Sequence, residues 1–218
     1  MAEVKGSDRG YSSPLRAQQA AATRGAVLDA ARELFITQGY GATTIDQIAA
    51  RAGVSKPTVF TAVGNKQTLL SAVRDVAMAG DDERVAVFDR PLADRVRAEP
   101  DQRRAVELLA ELVTGIGSRY AQIDAALRGA AHGGEPGLRE LWETSENQRL
   151  FGARLWVTTL AEKGPLREGL DVETAVDVLW LYMAPDLFHR LVHGRGWSAE
   201  RFRAWLTETL CRVLLPER

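Results

Sequence analysis

The chain of 218 residues is long enough for one large domain or two small ones, and its 45% hydrophobic and 26% charged residues are typical of soluble globular proteins. Its single cysteine, Cys211, excludes an intrachain disulfide and a metal site built from several thiolates, and no apolar run approaches the roughly eighteen residues of a membrane span. The net charge of −1 is unevenly spread, because residues 1–75 carry nine basic against six acidic residues, a small excess that favours a polyanion-binding end without establishing one.

The first twenty residues are polar and rich in glycine, serine, arginine and glutamine. This composition predicts a flexible arm over residues 1–20. The segment also lacks the continuous apolar stretch of a signal peptide, so we expect a cytoplasmic protein that has no membrane partner.

Residues 21–66 carry the periodicity and the capping residues of three short helices, with no strand pattern between them. Their predicted extents are about Thr23 to Gly39, Ile45 to Ala52 after the cap Thr44, and about two turns between the cap Ser55 and Gly64. The spacing therefore predicts a small three-helix domain over residues 21–66.

Residues 67–218 continue the helical pattern and predict a second, larger helical domain. The predicted helices are 66–79, 92–98, a seven-turn amphipathic helix from Asp101, 137–163, 171–193 and 198–215. Pro185 lies inside one of them and is expected to kink it near Leu181 or Tyr182. The fold class is thus all-α, an N-terminal three-helix domain containing a helix-turn-helix followed by a C-terminal bundle of about six helices.

The segment from Ile45 to Ala62 has the pattern of a helix-turn-helix. Gly53 suits the left-handed turn that a side chain would resist. A small core is expected from the apolar side chains of both helices: Ile48, Ala49, Ala52, Val54 and Val59. In this motif the second helix enters the DNA major groove by its N-terminal residues.

The outward side chains of the third helix form neither an apolar stripe nor a charged, solvated face. Thr58 and Thr61 can donate to phosphates or touch a thymine methyl group, and Lys56 and Lys66 suit the flanking phosphates. The alternative is a plain helical hairpin whose second helix only packs.

Fixed spacings over Phe35 to Val73 strengthen the first interpretation. They are carried by Gly39-Tyr40, Thr43-Thr44-Ile45, Ile48-Ala49, Ala52-Gly53-Val54-Ser55, Thr58 and Asn65-Lys66. With these features the segment resembles the DNA-binding domain of the TetR/AcrR family of transcriptional regulators. The resemblance covers about Thr23 to Ala79, and beyond it the family shares only architecture.

The resemblance implies double-stranded DNA as a partner and assigns the residues that contact it. These are Thr43, Thr44, Ser55, Lys56, Pro57, Thr58, Phe60, Thr61, Ala62 and Lys66. The chain departs from the family at Phe60, where tyrosine is common, and at Thr61-Ala62, where members carry His-Tyr or Trp-His. Three arginines in or after the arm either compensate by reaching DNA or only solubilise the chain: Arg9, Arg16 and Arg24.

The resemblance also implies that residues 67–218 form a ligand-binding and dimerisation domain, with a small-molecule effector and a homodimer. Side chains expected to line an effector pocket are Tyr120, Trp142, Trp156, Trp180 and Met183, although aromatic residues at helical spacing usually fill a core. The pattern suggests an apolar, aromatic or amphipathic effector. The last two helices are expected to pair in the dimer through Trp205, Leu206, Leu210, Val213 and Leu214, a face that a monomer can equally bury inside.

A catalytic or metal-binding function finds little support in the sequence. Asp186, His189 and His193 share one helical face, which is compatible with a metal but is explained as well by histidines at a helix C-terminus. No nucleophile–base arrangement or phosphate-binding glycine loop is evident, so we predict no catalytic residues, no metal and no cofactor.

The sequence therefore predicts a ligand-responsive transcriptional regulator, a repressor that binds a palindromic operator as a homodimer and is released by its effector. The helix from Lys66 is the expected transmitter because it joins both domains. One alternative is a DNA-binding activator or architectural protein that senses nothing. The alternative from another class is a helical interaction module or an enzyme that does not use DNA.

Overall fold

The computed structural model describes residues 12–83, 85–135 and 137–217, and within these ranges the chain is helical with no β-strand. The predicted all-α class is confirmed. The chain divides after Val73 into two compact units, 1–73 and 74–218. The division lies inside a helix rather than at residue 66, because Leu69 and Leu70 at the start of that helix are fully buried and belong to the first unit.

Four helices begin among the described residues of the first unit. They are α1 (Ser12–Ala42), α2 (Ile45–Ala52), α3 (Lys56–Ala62) and α4 (Lys66–Ala79). The last of them continues into the second unit, and its bounds agree with those predicted. The fully buried side chains of Val27, Phe35, Ile48 and Val59 form the centre of the unit, and each contributes about 1.5–3 kcal/mol by leaving water.

Six further α-helices follow the end of α4 in the part of the second unit that the structure describes. They are α5 (Pro91–Ala98), α6 (Gln102–His132), α7 (Leu138–Lys163), α8 (Val172–Tyr182), α9 (Pro185–Phe188) and α10 (Ala199–Leu214), with a 3-10 turn at Val87–Asp89 and a π-helical turn at His189–Gly194. Helix α6 lies at the centre and packs against α5, α7, α9 and α10. Its buried face continues for most of its length, as the amphipathic pattern predicts.

Helix α1 begins at Ser12, well before the start near Thr23 that periodicity predicts. Residues 12–20 of the predicted arm are therefore helical, and residues 1–11 lie outside the described ranges. The added segment is rich in alanine, glutamine and arginine, which favour helix without forming an apolar stripe. Apolar periodicity therefore does not reveal this helix start.

Pro185 breaks the helix instead of kinking it. Helix α8 ends at Tyr182, Ala184 takes an extended conformation with ψ 125°, and Pro185 becomes the first residue of α9. A proline at this position needs no backbone hydrogen bond. The predicted helix over 171–193 is thus three consecutive segments.

The predicted dimer face of α10 lies largely inside the second unit. Leu206, Leu210 and Leu214 are fully buried within the single chain, because α10 packs along α6. The alternative of internal burial is therefore correct for these three leucines.

Gly117 of α6 permits the close approach of another helix. A Cβ atom at this position would lie 2.7 Å from the ring of Phe188, whose side chain is itself buried. The missing side chain is what lets α9 lie against α6.

Candidate nucleic-acid interface and ligand site

The turn between α2 and α3 has the geometry predicted from Gly53. This glycine adopts the left-handed conformation, with φ 67° and ψ 29°, and its N–H donates to the Ala50 carbonyl at 3.3 Å. The N–H of Val54 donates to the Ala49 carbonyl at 3.0 Å. The turn brings Val59 of α3 into the core beside α2 and leaves the opposite face of α3 in solvent.

Helix α2 begins with a capping box. The Gln47 N–H donates to the Thr44 hydroxyl at 3.2 Å, and the Thr44 N–H donates to the Gln47 side-chain carbonyl at 2.8 Å. The Gln38 amide donates to the same Gln47 oxygen at 3.1 Å. Thr44 is therefore exposed and held in one orientation at the helix start.

Thr43 does not belong to the surface that the sequence assigns to it. Its side chain is 1% exposed, its hydroxyl donates to the Gly39 carbonyl at 2.8 Å, and the Gln38 amide donates to it at 3.2 Å. Because both functions of the hydroxyl are used inside the protein, Thr43 holds the α1–α2 connection and its side chain cannot reach DNA.

Helix α3 begins as its sequence predicts, with a side-chain cap and a proline in its first turn. The Thr58 N–H donates to the Ser55 hydroxyl at 3.3 Å, and the two hydroxyls are 2.7 Å apart. Pro57 is exposed, where its missing N–H costs nothing.

The outer face of α3 is open and carries one charge, which is paired. Phe60 is 46% exposed, and the Thr61 hydroxyl donates to the Pro57 carbonyl at 3.0 Å. That bond directs the hydroxyl proton back to the helix, so Thr61 offers its methyl group and oxygen lone pairs to a partner. The Lys56 ammonium forms an ion pair with Asp46 at 2.9 Å.

Lys66 lies at the other end of the motif, where α4 begins. Its ammonium lies 4.1 Å from the centre of the Tyr40 ring and donates to the Gly41 carbonyl at 3.3 Å. The Tyr40 ring stacks on Phe35 of the core at 5.6 Å. A cation held over an aromatic ring is positioned more narrowly than a free lysine.

Asp46 and Gln47 belong to this surface but are not among the residues assigned to it from the sequence. The sequence Thr44-Ile-Asp-Gln47 is a capping-box pattern, from which Gln47 could have been identified. No local sequence pattern predicts the pairing of Asp46 with Lys56. Arg24 donates to the Ala62 carbonyl at the end of α3, at 3.1 Å, so this arginine stabilises α3. Arg16 lies exposed on α1, and Arg9 lies outside the described ranges.

In the second unit the predicted effector residues occupy different surroundings. Tyr120 and Trp156 are buried, while the other three are partly buried. The Trp156 ring packs against Phe88 at 4.6 Å, and the Trp142 ring meets His132 edge-on at 5.1 Å. Met183 ends α8.

Trp180 and Tyr120 are distinguished by charged neighbours. The Arg149 guanidinium lies 4.5 Å from the Trp180 ring centre, and its Nη1 donates to the Trp180 carbonyl at 2.7 Å. Burial raises the pKa of Tyr120, and it also raises the pKa of Asp124 one turn further along α6, although Arg128 opposes that rise. Ionisable groups shifted by burial are frequent in binding sites.

An open groove of about 270 Å³ lies beside α5 and the start of α6. None of the predicted effector residues lines it. Its walls are Arg95, Ala98, Glu99, Pro100, Arg104 and Leu108. Such a mixed, open surface is unlike the enclosed apolar pockets that hold small molecules.

The carboxylate and the two imidazoles considered for a metal have other contacts. Arg128 and Arg190 each donate to Asp186 at 2.6 Å, and the His189 and His193 rings lie 5.5 Å apart. In the described part of the chain no three side chains of metal-binding type come together. Nor does any helix there have the length and apolar character to cross a bilayer.

Comparison with known proteins matches residues 27–73 to the bacterial regulatory proteins of the tetR family. An uncharacterised HTH-type transcriptional regulator of Bacillus subtilis, YdeS, is 29% identical over 172 residues, which span 79% of this chain and 80% of the relative.

Two solved structures share the fold. A regulator from Saccharomonospora viridis in complex with choline has a TM-score of 0.68 and 20% identity, over 89% of this chain and 98% of its own. The regulator FadR from Bacillus subtilis in complex with stearoyl-CoA has a TM-score of 0.66 and 17% identity, over 85% and 96%.

Proposed function

We propose, from the premise that this chain is a transcriptional regulator of the tetR family, that it binds a palindromic operator as a homodimer and represses until a small apolar or aromatic effector releases it. The observation that carries the proposal is the open face of α3. Its exposed ring at Phe60 and its methyl-bearing Thr61 are flanked by lysines at both ends of the motif. This arrangement fits a helix that enters the major groove between two phosphate backbones.

The proposed dimer face lies on α7 and α8. Phe151 is 64% exposed, Leu181 55%, and Leu150 is exposed beside them in sequence. Arg149 of α7 donates to the Trp180 carbonyl of α8, so the two helices are adjacent at this point. Leu150 follows Arg149 and Leu181 follows Trp180 in sequence, and these exposed side chains therefore come from neighbouring parts of the two helices. Large exposed apolar side chains on neighbouring helices are typical of a protein interface.

The proposed mechanism requires two dimer shapes. In one, the two α3 helices are separated by about 34–36 Å, one turn of DNA, and enter successive major grooves. An effector that binds the other shape more tightly shifts the population by its difference in affinity. Helix α4 is the proposed transmitter, since it continues from the first unit into the second.

The first experiment is selection of genomic DNA fragments by the purified full chain at physiological salt, followed by sequencing. We expect a shared palindrome from the unaltered protein and strongly reduced retention by Lys66→Ala, because that lysine faces phosphate in the proposal. Retention of nothing, or of fragments without a common motif, would overturn the operator proposal. A reporter promoter carrying the palindrome then shows the direction of regulation by a fall or a rise in output.

The dimer is tested separately by sedimentation of Phe151→Ser. We expect this change to convert a dimer into a monomer at micromolar concentration. Leu15→Ser is the matched control, since it replaces an exposed apolar side chain on α1, and it should leave the dimer intact. If Phe151→Ser sediments as the unaltered protein does, the α7–α8 face is not the interface.

A further inference from the structure

Among the described residues of the second unit, four buried side-chain donors have no hydrogen-bond partner. They belong to Arg74 (Nε), Tyr120 (Oη), Arg149 (Nε) and Trp180 (Nε1). The fifth such atom in the described ranges, Arg90 Nε, lies apart in the ion pair with Asp81. We call the first four residues the donor cluster.

Contacts among the helices bring the donor cluster together. The Ser145 side chain of α7 and the Asp124 side chain of α6 both lie near the Tyr120 hydroxyl without meeting hydrogen-bond geometry. Arg149 follows Ser145 one turn later on α7. Arg149 in turn lies against the Trp180 ring of α8. The charge of Arg74, from α4, acts on Tyr120. Helices α4, α6, α7 and α8 therefore each contribute one unsatisfied donor to one region.

These donors are enclosed. Tyr120 is 3% exposed and Arg74 is 8% exposed. A donor buried without an acceptor has lost its bonds to water and gained none in return, so such groups are rare in native proteins. All four can be satisfied by the same chemistry, which is an oxygen acceptor.

The charges around the donor cluster favour an anionic oxygen acceptor over a neutral one. The other two arginines of the region have carboxylate partners, since Arg149 is paired with Glu146 and Arg128 with Asp186. Those two positive charges are already neutralised.

Arg74 lacks an equivalent buried carboxylate. Its Nη2 donates to the neutral amide oxygen of Gln148 at 2.6 Å, and the acid beside it, Asp75, is 60% exposed at 3.2 Å. Burial raises the pKa of Asp124, which interacts with Tyr120, against the opposing effects of Arg128 and of Tyr120 itself. The region thus carries a positive charge that an anionic ligand would balance.

We propose that the donor cluster is the polar end of the effector site and that it takes the carboxylate of a small organic acid, held by Arg74 and the Tyr120 hydroxyl. The inference rests on the proposed ligand response. The planar fork of a guanidinium matches a carboxylate, and a phenol adds a directed donor. The apolar part of the acid lies against the partly buried ring of Trp180.

The same site reaches the transmitter helix. Arg74 directly follows Val73 in α4, and its bond to Gln148 ties α4 to α7. A second tie lies closer to the end of α4, where Arg119 of α6 donates to the carbonyls of Ala77 and Met78 at 3.1 and 3.3 Å. A carboxylate bound to Arg74 competes with the Gln148 amide oxygen for the guanidinium. It therefore weakens the contact between α4 and α7 and leaves the bonds of Arg119 to the end of α4 in place.

The test compares matched acids and amides on the full chain by isothermal titration calorimetry. The probes are octanoate with octanamide, and naphthalene-2-acetate with naphthalene-2-acetamide, since each pair differs only in charge and acceptor strength. We expect at least one acid to bind about tenfold or more tightly than its amide, the size of one charge-assisted hydrogen bond. Equal affinities within both pairs, or no binding of either acid, would overturn the proposal.

Two variants locate the site. Tyr120→Phe removes only the unsatisfied hydroxyl, so it should keep or raise the melting temperature and still weaken the acid relative to its amide. Arg74→Gln should abolish the preference for the acid. Arg154→Gln, which breaks an exposed ion pair with Glu173, is the control and should leave the preference unchanged. If Tyr120→Phe and Arg74→Gln both retain the preference, the acid binds elsewhere and the assignment fails.

The outcomes separate this inference from the regulator proposal. Recovery of a palindrome without any preference for acids leaves the regulator and removes the carboxylate site. A preference for acids without DNA retention would support the carboxylate site and overturn the operator proposal. When both are present, the bound acid should change the affinity for the palindrome in the unaltered protein and fail to do so in Arg74→Gln.

Discussion

The ammonium of Lys56 lies 2.9 Å from the carboxylate of Asp46, an ion pair that joins the first turn of α3 to the first turn of α2. Both side chains are half exposed or more, so the pair contributes little to stability, about 0–1 kcal/mol. Its larger effect is on charge, because it neutralises the cation at the entry of the helix proposed to meet DNA. Asp46 therefore limits how strongly this end of α3 attracts phosphate.

Asp46→Asn should strengthen binding to every DNA sequence, by about three- to tenfold at low salt, since it removes an anion and frees Lys56. Fluorescence anisotropy over a series of salt concentrations measures this change and its decline as salt rises. Glu33→Gln, which breaks the exposed pair with Arg51 on α1 and α2, is the matched control and should have a smaller effect. An unchanged affinity in Asp46→Asn would mean that Lys56 does not approach the phosphates.

Thr44→Ala should lower the free energy of unfolding by about 1 kcal/mol, because it deletes the cap of α2. It should also weaken DNA binding to all sequences alike. Thr44→Ser keeps both the hydroxyl and the capping box and should restore both properties. Denaturant unfolding and anisotropy measure the two effects, and a serine variant as impaired as the alanine variant would show that the methyl group, not the cap, matters.

Thr61 offers a sharper test of sequence reading. Its hydroxyl proton is directed to Pro57, so the methyl group is its main contact surface. Thr61→Val should keep the preferred DNA sequence. Thr61→Ser should weaken the preference for one base, with a loss of discrimination of up to about 1–3 kcal/mol. Selection from a randomised palindrome library compares the two variants. A preference retained by serine and lost by valine would reverse the assignment in favour of the hydroxyl.

Gly117→Ala should destabilise the second unit by about 1–3 kcal/mol, because the new methyl group meets the buried ring of Phe188. Gly129→Ala lies on the same helix with no atom within 4 Å of the added Cβ, and it should stabilise the protein by about 0.5–1 kcal/mol. Calorimetric melting of both variants checks the opposite signs. Equal melting temperatures would mean that α9 moves aside at no cost.

Asp124 should make stability depend on pH. Burial raises its pKa above the unfolded value of about 3.9, so the folded chain holds this proton more tightly. Stability from this group is therefore fully present below pH of about 4 and declines as pH rises through the folded pKa, despite the opposing charges of Arg128 and Arg149.

Asp124→Asn removes the ionisation, so its melting temperature relative to the unaltered protein should rise between pH 4 and pH 7. Melting curves at several pH values give the difference directly. Asp177→Asn, at an exposed position of α8, should show no such trend. A difference that shrinks toward pH 7 would show that the carboxylate is stabilised in the fold.

Local signals predict most of the fold, and they fall short where a helix has no apolar stripe or where the burial of a side chain depends on packing. Glycines and capping residues predicted the bounds of α2 and α4 because those signals act within one turn. Periodicity does not reveal the start of α1, because alanine, glutamine and arginine favour helix without forming an apolar stripe. The assignment of Thr43 to the DNA-contacting residues does not account for its burial, where its hydroxyl bonds to Gly39 and Gln38.

The second unit shows the same limit. Periodicity identifies Leu206 and Leu210 as apolar but cannot say whether they face α6 or another copy of the chain. The convergence of Arg74 with Tyr120 and Trp180 joins residues more than forty positions apart, and nothing in the spacing of the sequence predicts it.

Tyr40 has two roles at once, since its ring stacks on Phe35 in the core and also lies under the ammonium of Lys66. Core residues usually diverge independently of functional surface residues, because packing and binding are selected separately. Here the ring is part of both. We therefore expect positions 40 and 66 to covary among homologues, so that loss of the aromatic ring accompanies replacement of the lysine.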